Sequence, residues 1–170
     1  MTRTITTLTL LLLVGVSTTA NAATQNHTTT RSQTSGVPSA AEVHAGVLTA
    51  LHANHKLAVS VLWTNHVPAT ASESTRGPAL AAMRVSAKGR ENEHLRVRML
   101  HESYWIISIR LDPSYASATA VVQSNQKLVP SQLDGRPLGR PVELNERARI
   151  ELHRIGSSSR FIVWRLTLQK

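Results

Sequence analysis

Eight histidines stand out in a chain of 170 residues that has no cysteine. Three of them, His44, His52 and His55, fall in a stretch whose apolar residues repeat with a helical period. At 100° per residue they share about 80° of arc. His52 and His55, three positions apart, could ligate one metal ion. His44 stands about 12 Å along the axis from His52, out of reach of the same ion. No third ligand suggests itself, and the His-Glu-x-x-His pair of a zinc peptidase is absent. The three histidines read as amphipathic residues flanking an apolar stripe beside Leu48. No metal or other cofactor is expected.

Acid–base chemistry fares no better. Glu91 and Glu93 are two residues apart in a charged, turn-like stretch. A glycosidase needs two carboxylates about 5–10 Å apart across a cleft, one of them with a raised pKa. Asp112 precedes a proline and Asp134 a glycine, the contexts of turn chemistry. There is no Gly-x-Ser-x-Gly elbow, and Ser157-Ser158-Ser159 reads as a turn tip. A small secreted hydrolase would need at least two of His94, His101, His153, Glu102 and Asp112 in one pocket. A non-enzyme is the expectation.

The charge is a stronger signal. Nineteen Lys and Arg against ten Asp and Glu give a net charge of +9. Arg96 and Arg98 alternate with apolar residues. Arg147, Arg149 and Arg165 decorate a C-terminal hairpin, with Arg136, Arg140 and Arg160 nearby. Neighbouring strands would merge Arg96, Arg98, Arg147, Arg149 and Arg165 into one basic partner-binding face. Guanidinium forks suit carboxylates and phosphates. One phenylalanine, two tyrosines and three tryptophans are few for base stacking, and an export signal further excludes nucleic acid.

That signal is residues 1–22. One positive charge at Arg3, an apolar run over 5–16 and the triplet Ala20-Asn21-Ala22 follow the order of a cleavable secretory leader. The run is too short and too rich in threonine for a spanning helix, so no membrane span is expected after cleavage. Residues 23–37 are polar and predict a disordered lead-in. Residues 38–170 suit a single strand-rich domain. The absence of disulfide-forming residues in an exported chain favours a bacterial periplasm.

Within the domain, Ser39 and Glu42 form a capping box. Val43, Val47, Ala50 and Leu51 predict a helix to about residue 53, with Asn54 as its left-handed stop. Period two then predicts strands at 57–63, 82–87, 95–99, 104–111 and 118–123. The strand at 104–111 is expected to be central, because it is apolar on both sides. Residues 65–80 read as a loop and 88–93 as a turn. Residues 124–146 read as an irregular connection with one helical turn at 130–133. The terminal hairpin is expected to place Leu152 opposite Trp164, Ile150 opposite Leu166 and Glu151 opposite Arg165 around a loop at 156–160. The predicted fold is α+β: one N-terminal helix on a mostly antiparallel β sandwich or partly open barrel, ending in a hairpin.

The order of these features resembles one family. The carriers are the leader, the capped helix, the alternating stretch Leu57 to Trp63, Leu95-Arg96-Val97-Arg98, Tyr104-Trp105-Ile106-Ile107-Ser108-Ile109, Val121-Val122, Lys127-Leu128-Val129-Pro130-Ser131-Gln132-Leu133 and Gly135-Arg136-Pro137-Leu138-Gly139-Arg140-Pro141-Val142. They look like the periplasmic chaperones of flagellar P-ring assembly, over residues 39–150. The glycine of that family's Leu-x-x-Gly-x-x-Leu turn is not evident. The resemblance implies a strand-rich, non-enzymatic periplasmic chaperone or adaptor that binds envelope or appendage subunits, and it transfers no catalytic residue. The alternatives are a basic module for an anionic envelope polymer and the small hydrolase above.

Overall fold

The computed structural model describes residues 38–169; the leader and lead-in read from residues 1–37 lie outside them. The Ser39 capping box forms: Glu42 N donates to Ser39 Oγ at 3.3 Å, and Ser39 N donates to Glu42 Oε2 at 2.8 Å. The helix it starts, α1 (Ala40–Thr64), runs well past the expected stop at Asn54. Its buried residues Val43, Val47, Ala50, Leu51, Asn54, His55, Ala58, Val61 and Leu62 follow one helical stripe. Residues 57–63, expected as a strand, therefore satisfy the helical period as well as period two. The weak helix propensity of valine costs a few tenths of a kcal/mol. Burying Val61 and Leu62 contributes about 1.5–3 kcal/mol each, so packing decides. The left-handed stop comes at Asn65, with φ of 55°. Asn54 is instead buried, and its Nδ2 donates to Thr75 Oγ1 at 2.7 Å.

A second helix corrects two more expectations. Residues 82–87 are not a strand, and 88–92 are not a turn; both belong to α2 (Gly77–Asn92), with the turn confined to Glu93 and His94. Ala79, Ala81, Ala82 and Ala87 are strong helix formers. Pro78 fits the first turn, where its missing N–H has no helical partner to lose. Between the helices lies a short 3-10 turn, Ala69–Glu73.

Four strands follow: β1 (Leu95–Leu111), β2 (Ser117–Gln132), β3 (Val142–Arg154) and β4 (Phe161–Gln169). They form one antiparallel sheet in chain order, with β1 and β4 at its edges. Beside β4, Arg76 N donates to Val163 O and Val163 N to Ser74 O, both at 2.9 Å. The α+β class and the N-terminal helix packed on an antiparallel sheet are as expected. The sheet is a single open layer, not a sandwich or barrel. The expected strands 95–99 and 104–111 are one strand, and it is an edge strand. Register shifts at Leu100 and Ile107 explain the misreading. Each bulge inserts an extra apolar residue that faces solvent and breaks the alternation.

Residues 124–132 are strand, not an irregular connection. Pro130 pairs with Val97 of β1. The β3 ladder stops at Leu128, so Pro130 has no β3 neighbour to disappoint. In the last hairpin Glu151 faces Arg165 and Ile150 faces Leu166, as expected. Leu152 faces Val163 instead of Trp164 because a bulge intervenes. Trp164 leaves the ladder and stacks on His153, with ring centroids 4.9 Å apart.

The first half of α1 packs Val43, Val47 and Leu51 against Ala120, Val122, Ile150, Leu152 and Val163 on the inner face of the sheet. Its second half packs Ala58 and Leu62 against Val97 and Leu128.

Candidate functional site

The outer face of the sheet is where the expected basic residues converge. Register stacks the outward side chains in rows across β1 to β4. One row is Arg110, Thr119, Glu151 and Arg165. The next is Ser108, Val121, Arg149 and Thr167. A third is Trp105, Gln123, Arg147 and Gln169. At about 4.8 Å per strand, the Trp105 and Arg147 backbones lie about 10 Å apart. Trp105 is 42% exposed and Ile107, at its bulge, 45%. Arg110, Arg147, Arg149 and Arg165 are exposed.

Arg165 lies 3.9 Å from Glu151, on the outer face as the hairpin register predicts. Lys127 pairs with Glu143 at 3.1 Å. Among the described residues no ion pair engages Arg98, Arg110, Arg147 or Arg149.

The expected five-residue face is thus only partly assembled. Arg147, Arg149 and Arg165 come together. Arg98 faces outward opposite Val129. That position lies about 26 Å along β2 from Val121, the partner of Arg149. Arg96 is half-buried, with its guanidinium carbon 5.5 Å from the centre of the Trp63 ring. Arg110 takes their place beside Arg149 and Arg165. It was missed because its strand was expected to be buried on both faces.

The inner face carries a second feature. Between the two apolar clusters, the facing positions Glu102 and Gln126, and Tyr104, Ser124 and Glu146, make a polar band. His55 of α1 lies over it, its ring centroid 6.5 Å from that of Tyr104 at an interplanar angle of 19°. Gln126 Nε2 donates to Ser124 Oγ at 3.2 Å. Burial pushes the Glu102 carboxyl up to about 8. Burial, with the neighbouring His52 as a lesser cause, pulls the His55 imidazole down to about 3. Burial also raises the Tyr104 phenol and the Glu146 carboxyl.

The residues expected for a hydrolase do not assemble. Glu102 is in the inner band. His101 and His153 are exposed outer-face residues, opposite Lys127 and Ser117. His94 has a φ of 54° and occupies the reversal between α2 and β1. Asp112 holds the β1–β2 turn by accepting from Ser114 N at 2.9 Å and from the Ser114 hydroxyl. Asp134 accepts from Arg136 N and Nε. Glu91 pairs with Lys88 at 2.9 Å. His44 and His52 are exposed, whereas His55 is buried. Among the described residues no three His, Cys, Asp or Glu side chains gather as a metal site, and no helix is long and apolar enough to cross a membrane.

No family model matches the chain, and no curated protein matches it in sequence. Its architecture is similar to that of the intermembrane-space region of the chloroplast protein ARC6. The two share a TM-score of 0.52 and 13% sequence identity, over 65% of this chain and 83% of that one. At that identity the likeness concerns the fold alone.

Proposed function

We propose that this chain is a non-enzymatic binding module of the bacterial periplasm, which docks an acidic protein surface against the outer face of its sheet. One observation carries the reading. Among the described residues the sheet is covered on one side only, and its other side presents Trp105 and Ile107 among Arg110, Arg147 and Arg149, which no described carboxylate neutralises. Tryptophan and arginine are the residue types that dominate interface hot spots. Uncompensated positive charge steers and orients an acidic partner.

The leader read from residues 1–22 supports export. A neighbour in fold from an intermembrane space offers a precedent outside the cytosol. The narrower partner, a flagellar ring subunit, rested partly on segments that take other roles. Residues 57–63 are helix, and 127–132 lie in β2. The proposal therefore stops at an acidic envelope protein.

The test is affinity capture from an envelope extract with the wild-type chain, Trp105→Ala and the double variant Arg147→Glu/Arg149→Glu. A discrete acidic protein retained by the wild type and lost by both variants is the expected result. Equal retention by all three chains overturns the reading. Retention of an anionic polysaccharide with no protein replaces it with the polymer-binding alternative.

A further inference from the structure

The inner polar band has no part in the outer-face reading, yet it is costly as a piece of core. His55 and Tyr104 are 94–95% buried, at 6% and 5% relative exposure. His55 Nδ1, Glu102 Oε1 and the Tyr104 hydroxyl are each buried without a hydrogen-bond partner among the described residues. A buried polar atom left unpaired costs about 1–3 kcal/mol, whereas apolar groups of the same shape are nearly neutral. A face needed only for packing would carry apolar side chains at these positions, as it does at Ile106 and Val122 on one side of the band and at Met99 and Leu128 on the other.

Elsewhere the interior is careful about such groups. Asn54 is bonded to Thr75, and Arg90 to Val61 and Asn65. The unpaired nitrogens of Arg96 and Arg154 belong to guanidinium groups with further donors. The three atoms of the band, by contrast, lie on adjoining positions. Glu102 and Tyr104 are about 7 Å apart on one strand face, and His55 stacks above Tyr104.

We propose that this band is the floor of a binding site for a small uncharged molecule of the amide class, which presents a carbonyl acceptor and an N–H donor together. The Tyr104 hydroxyl donates to the ligand carbonyl. Glu102 Oε1 and His55 Nδ1 are the acceptors facing its N–H groups. Met99 and Leu144, packed beside Leu128, offer an apolar wall to the rest of the ligand. Burial keeps all three groups uncharged near neutral pH, which suits a neutral ligand and penalises an ionised one.

The test is a titration of the full chain at pH 7 with acetamide and with benzamide, read from the carbon-bound ring protons of His55 by NMR. Benzoate serves as the charged isostere. A saturable shift with at least one amide is expected, at least tenfold weaker with benzoate. Tyr104→Phe and Glu102→Leu should each weaken it at least tenfold. Both variants should keep or raise the Tm, since each removes or neutralises an unpaired buried group, so loss of binding cannot be charged to unfolding. No saturable shift with either amide overturns the proposal. So does an unchanged titration in Tyr104→Phe, or a crystal structure in which ordered water alone satisfies the three atoms in the presence of the amides.

Discussion

Arg90, in the last turn of α2, donates its Nη2 to the Val61 carbonyl near the end of α1 at 3.0 Å. Its Nε donates to Asn65 Oδ1, on the capping residue of α1, at 2.9 Å. α1 has no basic residue in its own last turn. Arg90 supplies that charge from another helix, opposite the negative end of the α1 dipole. It is only 2% exposed, and burial pulls its pKa down.

Arg90→Leu leaves Asn65 Oδ1 without its donor and the Val61 carbonyl with the Asn65 N–H alone, at 2.9 Å. Hydrogen bonds from a charged donor are worth about 1.5–3 kcal/mol each. A loss of about 3 kcal/mol in urea unfolding at pH 7 is expected, with a smaller loss for Arg90→Lys. An unchanged midpoint for Arg90→Leu would show that the helix end is satisfied without it.

Two helical glycines should respond oppositely to alanine. A Cβ on Gly46 would lie 1.7 Å from the Ser159 carbonyl oxygen, because the β3–β4 loop rests directly on α1. Forcing them apart should cost about 1–3 kcal/mol. A Cβ on Gly89 meets nothing within 4 Å among the described residues. Gly89→Ala should stabilise by up to about 1 kcal/mol through helix propensity. Thermal melts of the two variants against the wild type decide this.

The buried band predicts a two-sided pH profile. The His55 imidazole is pulled from 6.5 to about 3 on folding, so the unfolded chain binds more protons between these values. Stability through His55 is present above pH 6.5 and is lost as pH falls towards 3. The Glu102 carboxyl is pushed from 4.5 to about 8, so there the folded chain binds more protons. Stability through Glu102 is present below pH 4.5 and is lost as pH rises to 8. Between pH 6.5 and 8 the Glu102 slope is free of opposition from His55. Urea midpoints across pH 3–9 should show that Glu102→Gln flattens the alkaline side and His55→Phe the acid side.

Outer-face substitutions should separate binding from folding. Trp105→Ala and the Arg147→Glu/Arg149→Glu double variant touch exposed side chains. Each should move stability by about 0.5 kcal/mol or less, as checked by thermal melts. Partner retention by the wild type should weaken as sodium chloride rises from low to high concentration, because salt screens exposed charges. Retention that does not change with salt would mean that the arginines do not carry the contact.

How much of this was legible in the residues depended on range. The Ser39–Glu42 box spans one helical turn and could be read directly. Glu151 opposite Arg165 followed from counting around one turn. Residues 57–63 could not be assigned locally, because Leu57, Val59, Val61 and Trp63 alternate while Ala58, Val61 and Leu62 keep the helical stripe. Only the sheet beneath them favours one pattern. The inner band was hidden for a related reason. The bulge at Leu100 shifts the phase of β1, so Glu102 turns inward where simple alternation from Leu95, Val97 and Met99 would send it out. His55 looked like one of three flanking histidines, and only the position of Tyr104 beneath it sets it apart.

The two bulges of β1 also bear on how this molecule avoids itself. An edge strand is a template on which identical chains can pair and grow into aggregates. The regular stretch between the shifts at Leu100 and Ile107 runs over residues 101–106 only. A second copy zipping onto it would fall out of register at both ends. The irregularities that obscured this strand in the sequence thus guard a crowded population of such chains against edge-to-edge polymerisation.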